Sequence, residues 1–350
     1  MNTKLILKLI LLVAVISLAF SSIPGLIAGA TETGDEDEPE EEVYVTAATV
    51  SVGTELISSE AALVIDFSTG LVIYEYNADE LRVPASMAKM AAVYVIFDAI
   101  RDGHVNYETR VEISESLSVF SYSRAFSNVP MPEESSFTIR ELLDVVIVRS
   151  ASAATVALGE AIFGSEDALV EKMNEKAIQL GIEATFRDSW GRSPNNRISA
   201  RGMAELTRAL MLEYPEVLDI TSKREVMFNE RTYRSTNLLL GEYEGVDGFK
   251  TGFTNPAGWC FAGTATQDGR RLITITMGST YGYRFPDTRI LLDYGFENYN
   301  TVIADHFRSA ILPLNFPQFA NTTLVPILTY DIKDTQYLKL RELAIALNAG

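Results

Sequence analysis

One cysteine, Cys260, and two histidines, His104 and His306, are all that the 350 residues offer of either type. An intrachain disulfide is impossible, and a histidine-built zinc site or a Ser-His-Asp triad has almost nothing to draw on. Hydrolytic chemistry in this chain needs another base. Positive charge is scarce as well: 29 lysines and arginines face 47 acidic residues, for a formal net charge of −18. That balance argues against nucleic acid or anionic lipid as a partner. Apolar residues are not in short supply, at 47% of the chain with 22% charged. This is the make-up of an ordinary globular protein, with room for one large domain or two.

The N-terminus reads as a secretory signal over residues 1–30. Lys4 and Lys8 supply its positive start, Leu9 to Phe20 its apolar run, and Ala28-Gly29-Ala30 a small-residue cleavage site. Ser21, Ser22, Pro24 and Gly25 weaken the competing reading of an uncleaved anchor helix. Membrane contact is expected only through this segment if it is retained, and the mature chain is expected to be secreted. Residues 31–42 carry eight acidic side chains and nothing that builds a core. Residues 31–57 therefore read as a solvated acidic linker, and no spaced loop of the EF-hand kind supports calcium binding there.

From Glu60 the pattern changes. Ala61 to Phe67, Ser68-Thr69-Gly70 and Leu71 to Tyr76 predict a β-hairpin. Ala85 to Ile100 has no charge between Lys89 and Asp98, which predicts a helix buried on nearly every side. Residues 138–213 read as a helical insertion: Thr138 and Glu141 form a capping box, Asp167 to Leu180 stops at Gly181, and Ser199 precedes Met203 to Leu212. Val246 to Gly252, Gly258 to Thr266 and Arg271 to Gly278 predict an antiparallel sheet, and Pro286 to Tyr294 a closing helix. Strands at both ends with helices between them imply one α/β domain, its sheet built from both termini with helices packed on it. Residues 300–350 read as a linker marked by Pro313 and Pro317, possible strands over Leu324 to Ile332, and a helix over Tyr337 to Leu347.

Two short motifs carry chemistry. In Ser86-Met87-Ala88-Lys89, a spacing of three puts hydroxyl and amine on one helical face. A serine is a weak nucleophile without a base beside it, and a lysine in apolar surroundings can lose its proton near neutral pH. The helix N-terminus offers N–H groups to a developing oxyanion. In Lys250-Thr251-Gly252 the lysine supplies charge, the threonine hydroxyl a donor for a carboxylate, and the glycine close approach for a substrate backbone. Between them lies Ser150-Ala151-Ser152, on an expected helix.

In this order and spacing the motifs resemble the serine D-alanyl-D-alanine carboxypeptidases, the low-molecular-mass penicillin-binding proteins. The likeness covers residues 58–299 and includes Pro84-Ala85-Ser86 with Lys89, Val246-Asp247-Gly248-Phe249-Lys250-Thr251-Gly252, and Arg284 before Leu291-Leu292-Asp293-Tyr294-Gly295-Phe296. It implies a β-lactamase/transpeptidase-like fold with no cofactor or metal. It also implies stem peptides of peptidoglycan ending in D-Ala-D-Ala as substrate and β-lactams as inhibitors. By the same resemblance Ser86 is the nucleophile, Lys89 its base, and Ser150 passes a proton to the leaving amine. Lys250, Thr251 and Arg284 fall to the substrate's terminal carboxylate, Gly252 and Ser152 line the substrate, and the N–H groups of Ser86 and Phe253 form the oxyanion hole.

One position departs from the family pattern. Where the family has Ser-x-Asn, whose amide binds the substrate's peptide carbonyl and the lysine, position 152 is serine, with one donor where an amide has two. A non-catalytic wall-binding homologue is therefore the alternative. A class A-like β-lactamase ranks lower, because Glu160, Glu166 and Glu183 lack the Glu-x-x-Leu-Asn setting. Ser193-Pro194-Asn195 and Ser235-Thr236-Asn237 match Ser-x-Asn by chance in loops. Cys260 reads as a buried structural thiol, and His104 and His306 as loop and surface residues. Tyr330 to Ala344 is similar to the start of a stalk module related to copper amine oxidase N-terminal domains.

Overall fold

The computed structural model describes residues 50–53, 55–311, 329–332 and 335–338. They open with two short paired strands, β1 (Val50–Val52) and β2 (Glu55–Ile57), then the hairpin β3 (Ala61–Asp66) and β4 (Val72–Tyr76). A 3-10 turn, Ala85–Ala88, leads into α1 (Lys89–Arg101). Next come β5 (Arg110–Glu112), α2 (Glu115–Ser121), β6 (Ser136–Thr138), α3 (Ile139–Val148), α4 (Ser152–Phe163) and α5 (Glu166–Gln179). The strands β7 (Ala184–Thr185) and β8 (Arg197–Ile198) precede α6 (Ala200–Glu213), α7 (Leu218–Thr221) and the hairpin β9 (Glu225–Phe228) and β10 (Arg231–Arg234). Three long strands follow, β11 (Val246–Thr254), β12 (Gly258–Gln267) and β13 (Arg270–Ser279), and then α8 (Arg284–Ile311). A last pair, β14 (Thr329–Ile332) and β15 (Thr335–Leu338), ends the description.

The main sheet runs β11-β12-β13-β3-β4 and is antiparallel throughout. Strands from the two ends of the domain meet in it, with Ile65 opposite Ile273 and Leu63 opposite Ile275. Because side chains alternate across a strand, β3 feeds two cores. Leu63 and Ile65 join Ile273, Ile275 and the apolar faces of α1, α3, α4 and α6, while Ala62 and Val64 join Leu272, Ala265 and Leu291 and Leu292 of α8. Burial on both faces is why β3 reads as an unbroken apolar run.

Helix α1 lies inside the helical layer, with Tyr94, Ile96 and Phe97 almost inaccessible to solvent. The capping box of α3 is present in both directions: the Glu141 N–H donates to Thr138 Oγ1 at 3.2 Å, and the Thr138 N–H donates to Glu141 Oε2 at 2.7 Å. Ser199 caps α6 through the Gly202 N–H at 3.0 Å.

Three expectations need correction. The stretch that reads as linker up to residue 57 contains β1 and β2, because Val52 and Ile57 are buried against α8. The closing helix does not stop at Tyr294. Phe296, Tyr299 and Val302 continue its apolar stripe, and Gly295 lets it rest on the sheet: a Cβ there would come within 2.7 Å of Leu272 and 3.0 Å of Val64. Tyr337 and Leu338 are strand, paired with Tyr330 and Thr329, and not helix. The signal segment, the acidic tract and most of the suggested stalk lie outside the described residues. Among the described residues no helix is long and apolar enough to cross a membrane.

Candidate active site

Ser86 lies in the 3-10 turn and Lys89 is the first residue of α1. The pair was expected on an α-helical face, but in a 3-10 turn residues three apart eclipse one another. Their side chains therefore meet, with Lys89 Nζ 3.1 Å from Ser86 Oγ. Lys89 is fully buried. Its amine donates to the carbonyl of Trp190 at 2.8 Å and lies 3.3 Å from Ser152 Oγ. Burial brings its pKa down to about 7, against the negative charges of Asp188 and Glu166, which hold it up. A neutral amine has two N–H donors and one lone pair. Trp190 and Ser152 occupy the two donors, which leaves the lone pair for the Ser86 hydroxyl proton.

The Trp190 carbonyl is held by a loop that sequence reading passed over. The Asp188 carboxylate accepts the N–H groups of Trp190 at 3.1 Å, Gly191 at 2.5 Å, Arg192 at 3.1 Å and also of Ser193. Glu166 Oε1 accepts the N–H and hydroxyl of Ser189 at 3.0 and 2.9 Å. Gly191 has a φ of 94°, and a Cβ on it would overlap the carbonyl of Ala85. The signal available in the sequence was Asp188 three residues before a glycine, a turn pattern with a mechanism. The rings of Phe120 and Phe126 flank Trp190, with centroids 5.3 and 4.9 Å from its own.

Ser150 is not on a helix, as expected from its small neighbours, but in the connection between α3 and α4 with a φ of 62°. Side chains other than glycine seldom adopt that conformation, and such residues gather at functional sites. Ser152 opens α4, where Ala151 provides no side-chain cap. Asn128 caps the helix from a distance instead, its Oδ1 accepting the Ala153 N–H at 2.8 Å. Ser152 is thereby left to Lys89.

Lys250, on edge strand β11, is 2% exposed and donates to Ser150 Oγ at 2.8 Å and to the Thr251 carbonyl at 2.9 Å. Burial first, then the positive charges of Lys89 and Arg284, lower its amine well below the ordinary lysine value. Thr251 Oγ1 donates to Thr236 Oγ1 at 2.7 Å. Gly252 was expected to admit a substrate backbone. The space a Cβ would take there is filled by the chain itself: Pro84 O at 2.7 Å, Ala85 Cβ at 3.2 Å and Met87 Cγ at 3.3 Å. Phe253 packs on Trp259 with centroids 4.4 Å apart, and the Arg284 guanidinium lies 4.4 Å from the same Trp259 ring.

Ser86, Lys89 and Ser152 thus form one hydrogen-bonded group and Ser150, Lys250 and Thr251 a second, near enough to each other and to Arg284 for the charges of Lys89 and Arg284 to act on Lys250. The other Ser-x-Asn matches are not part of it as motifs. Asn195 has its N–H on Ser193 Oγ, and Asn237 accepts the N–H of Leu239, although Thr236 between Ser235 and Asn237 does reach Thr251. Cys260 is buried opposite Gly252, and burial raises its thiol to about 11, out of range for a nucleophile at neutral pH.

A profile of the D-alanyl-D-alanine carboxypeptidase family matches residues 47–280. The chain belongs to this family. Among curated members, D-alanyl-D-alanine carboxypeptidase DacF of Bacillus subtilis is 33% identical over 251 residues, which is 69% of this chain and 63% of the relative. The chain thus matches somewhat less than two thirds of that protein's length. Among solved structures, penicillin-binding protein 5 from Haemophilus influenzae is 32% identical with a TM-score of 0.67, covering 71% of this chain and 73% of that one. Penicillin-binding protein D2 from Listeria monocytogenes, solved in its ampicillin-bound form, is 29% identical with a TM-score of 0.60, covering 69% and 98%. The antiparallel sheet with packed helices is the fold of these penicillin-binding proteins.

Proposed function

We propose that the protein is a secreted serine D-alanyl-D-alanine carboxypeptidase that removes the last residue of peptidoglycan stem peptides and is acylated by β-lactams, with residues 58–299 as its working domain. The observation that carries this reading is the three-way contact of Lys89 with Ser86, Ser152 and the Trp190 carbonyl. A lysine with a pKa near 7 is a competent general base at neutral pH.

Lys89 takes the hydroxyl proton of Ser86 as Oγ attacks the carbonyl carbon of the penultimate D-alanine. The negative oxygen that forms is met by the N–H groups of Ser86 and Phe253. When the C–N bond breaks, the leaving amine receives a proton from Ser150, which Lys250 resupplies at 2.8 Å. Lys250, Thr251 and Arg284 hold the carboxylate of the departing residue. Once the amine has left, the proton gained by Lys89 passes through solvent to replace the one that Lys250 gave up. Water then attacks the acyl-enzyme, neutral Lys89 takes the water's proton, and it hands that proton to Ser86 Oγ as the ester C–O bond breaks.

The second reading, a wall-binding homologue that turns over poorly, draws on Ser152. Its hydroxyl accepts from Lys89 and has a single proton, on a shorter side chain than an amide, for the substrate's carbonyl. A class A-like β-lactamase is disfavoured because Glu166 Oε1 is engaged by Ser189.

Intact mass of the protein after incubation with a penicillin, with and without Ser86→Ala, tests the proposal. A persistent single-acyl adduct that is absent from the variant supports the carboxypeptidase. Rapid drug hydrolysis without an adduct favours the β-lactamase, and neither adduct nor hydrolysis leaves the binding protein.

A further inference from the structure

Two segments come up against the reacting group from the side of Lys89. One is the loop after Asp188: the Trp190 carbonyl accepts from Lys89 Nζ at 2.8 Å, and Gly191 rests on the Ala85 carbonyl. The other carries Ser127, whose carbonyl accepts the Ser152 N–H at 2.9 Å and whose hydroxyl donates to the Arg149 carbonyl at 2.6 Å. The residue after Gly191 is Arg192, and the residue before Ser127 is Phe126. These two meet: the guanidinium carbon lies 5.0 Å from the centroid of the Phe126 ring, which packs on Trp190 in turn. A guanidinium over an aromatic face is held in place without being neutralised.

Arg192 is exposed, and among the described residues its side chain has no hydrogen bond or ion pair. Asp188, the nearest carboxylate in the sequence, is spent on backbone N–H groups. In a chain of net charge −18, this is an uncommitted cation two residues from the carbonyl that pins the base. Its planar fork of N–H donors matches a carboxylate. The position says which carboxylate. The terminal one is assigned to Lys250, Thr251 and Arg284, whereas Arg192 and Phe126 are tied to Lys89 and Ser152, on the side toward which the acyl part of a peptide leaves Ser86.

We propose that Arg192, steadied by Phe126, is a specificity-determining residue that binds a side-chain carboxylate on the acyl part of the substrate, so that the favoured peptide is acidic upstream of its two terminal residues. The inference rests on the carboxypeptidase reading, because it takes its direction from where the departing residue lies. The Phe126 ring offers an apolar surface to the stem of the same side chain.

The test uses two N-acylated tripeptides ending in D-Ala-D-Ala, with L-glutamate or its isosteric amide L-glutamine as the third residue from the end. Binding to the Ser86→Ala protein is measured by calorimetry at low ionic strength. The glutamate peptide is expected to bind about fivefold more tightly, the upper end for a solvent-exposed ion pair, and its advantage to shrink in high salt. Adding Arg192→Gln is expected to bring the ratio to about one, Arg192→Glu to invert it, and Arg192→Lys, which keeps the charge, to keep its sign. A variant that merely loosens the loop weakens both peptides alike and leaves the ratio in place, which overturns the proposal. So does the absence of any advantage for glutamate, its loss in the lysine variant, or failure of both peptides to bind. Release of D-alanine from the glutamine peptide by the wild-type protein is scored separately. Its absence sinks the hydrolytic reading and leaves the binding ratio standing.

Discussion

The carbonyl oxygen of Trp190 lies 2.8 Å from the amine of Lys89, although 101 residues separate the two in the chain. A carbonyl can only accept, so this contact pins one N–H of the lysine in either protonation state and turns its remaining valences toward Ser86 and Ser152. The loop that delivers the carbonyl is held by two carboxylates, Asp188 and Glu166. Control over the base therefore lies partly in residues that touch no substrate.

The first consequence is a pH profile. Attack by Ser86 requires neutral Lys89, whose pKa is about 7, so the rate of acylation by a penicillin is expected to rise through about pH 7 and level off above it. Stopped-flow acylation between pH 5 and 9 measures this, and a rate that falls through pH 7 would contradict Lys89 as base.

Asp188→Asn removes a negative charge that holds the Lys89 pKa up. The acid-side midpoint of the same profile is expected to move to lower pH, and the maximal rate to drop because the Ser193 N–H loses its carboxylate. A profile that moves upward would show that the loop acts on something other than Lys89.

Gly191→Ala puts a methyl group on the Ala85 carbonyl at a φ of 94°. The neighbour is backbone and cannot step aside. A stability loss of about 3 kcal/mol or more is expected from strain and overlap together, read in urea denaturation, with acylation abolished in the folded fraction. Leu292→Ala makes a useful contrast. It opens a cavity in the α8 core, away from Ser86, and is expected to cost about 2–5 kcal/mol while the folded protein acylates at the wild-type rate.

Ser152→Asn introduces the amide that a Ser-x-Asn pattern calls for at this position. Its side chain reaches further and has two N–H donors where the hydroxyl has one, and D-alanine release is expected to rise by about tenfold, the worth of one better-made contact to the substrate's carbonyl. Unchanged turnover would mean that Ser152 already does what the amide does.

Much of this arrangement was legible before any coordinates. Strand and helix positions follow from apolar periodicity, and Ser86, Lys89, Ser150, Ser152 and Lys250 fall within three short motifs. What could not be read lies in tertiary contacts. Asp188 and Glu166 act through loop backbone, which leaves no periodic trace. Thr236 meets Thr251 from a segment tied to Val148, a contact between parts of the chain far apart in sequence. Gly295 reads as a helix stop unless it is known that the sheet lies 2.7 Å from where its side chain would be. Gly252 reads as space for a substrate, whereas its neighbours across the gap are Pro84, Ala85 and Met87.

That last contact bears on when the protein becomes reactive. Ser86 and Lys89 emerge early from a chain made from its N-terminus, but Gly252 joins their turn only once β11 is in place. The lysine's partners Ser152 and Trp190 follow the pair but precede β11 in the chain, whereas Ser150 waits for Lys250 on β11 itself. A partly folded or clipped chain lacking β11 holds the Ser86–Lys89 pair without Lys250 beside Ser150 and without Gly252 against the turn. If the proposed function holds, acylation by a penicillin reports on a chain whose last sheet strands are in place, and one that has yet to place β11 presents an incomplete site.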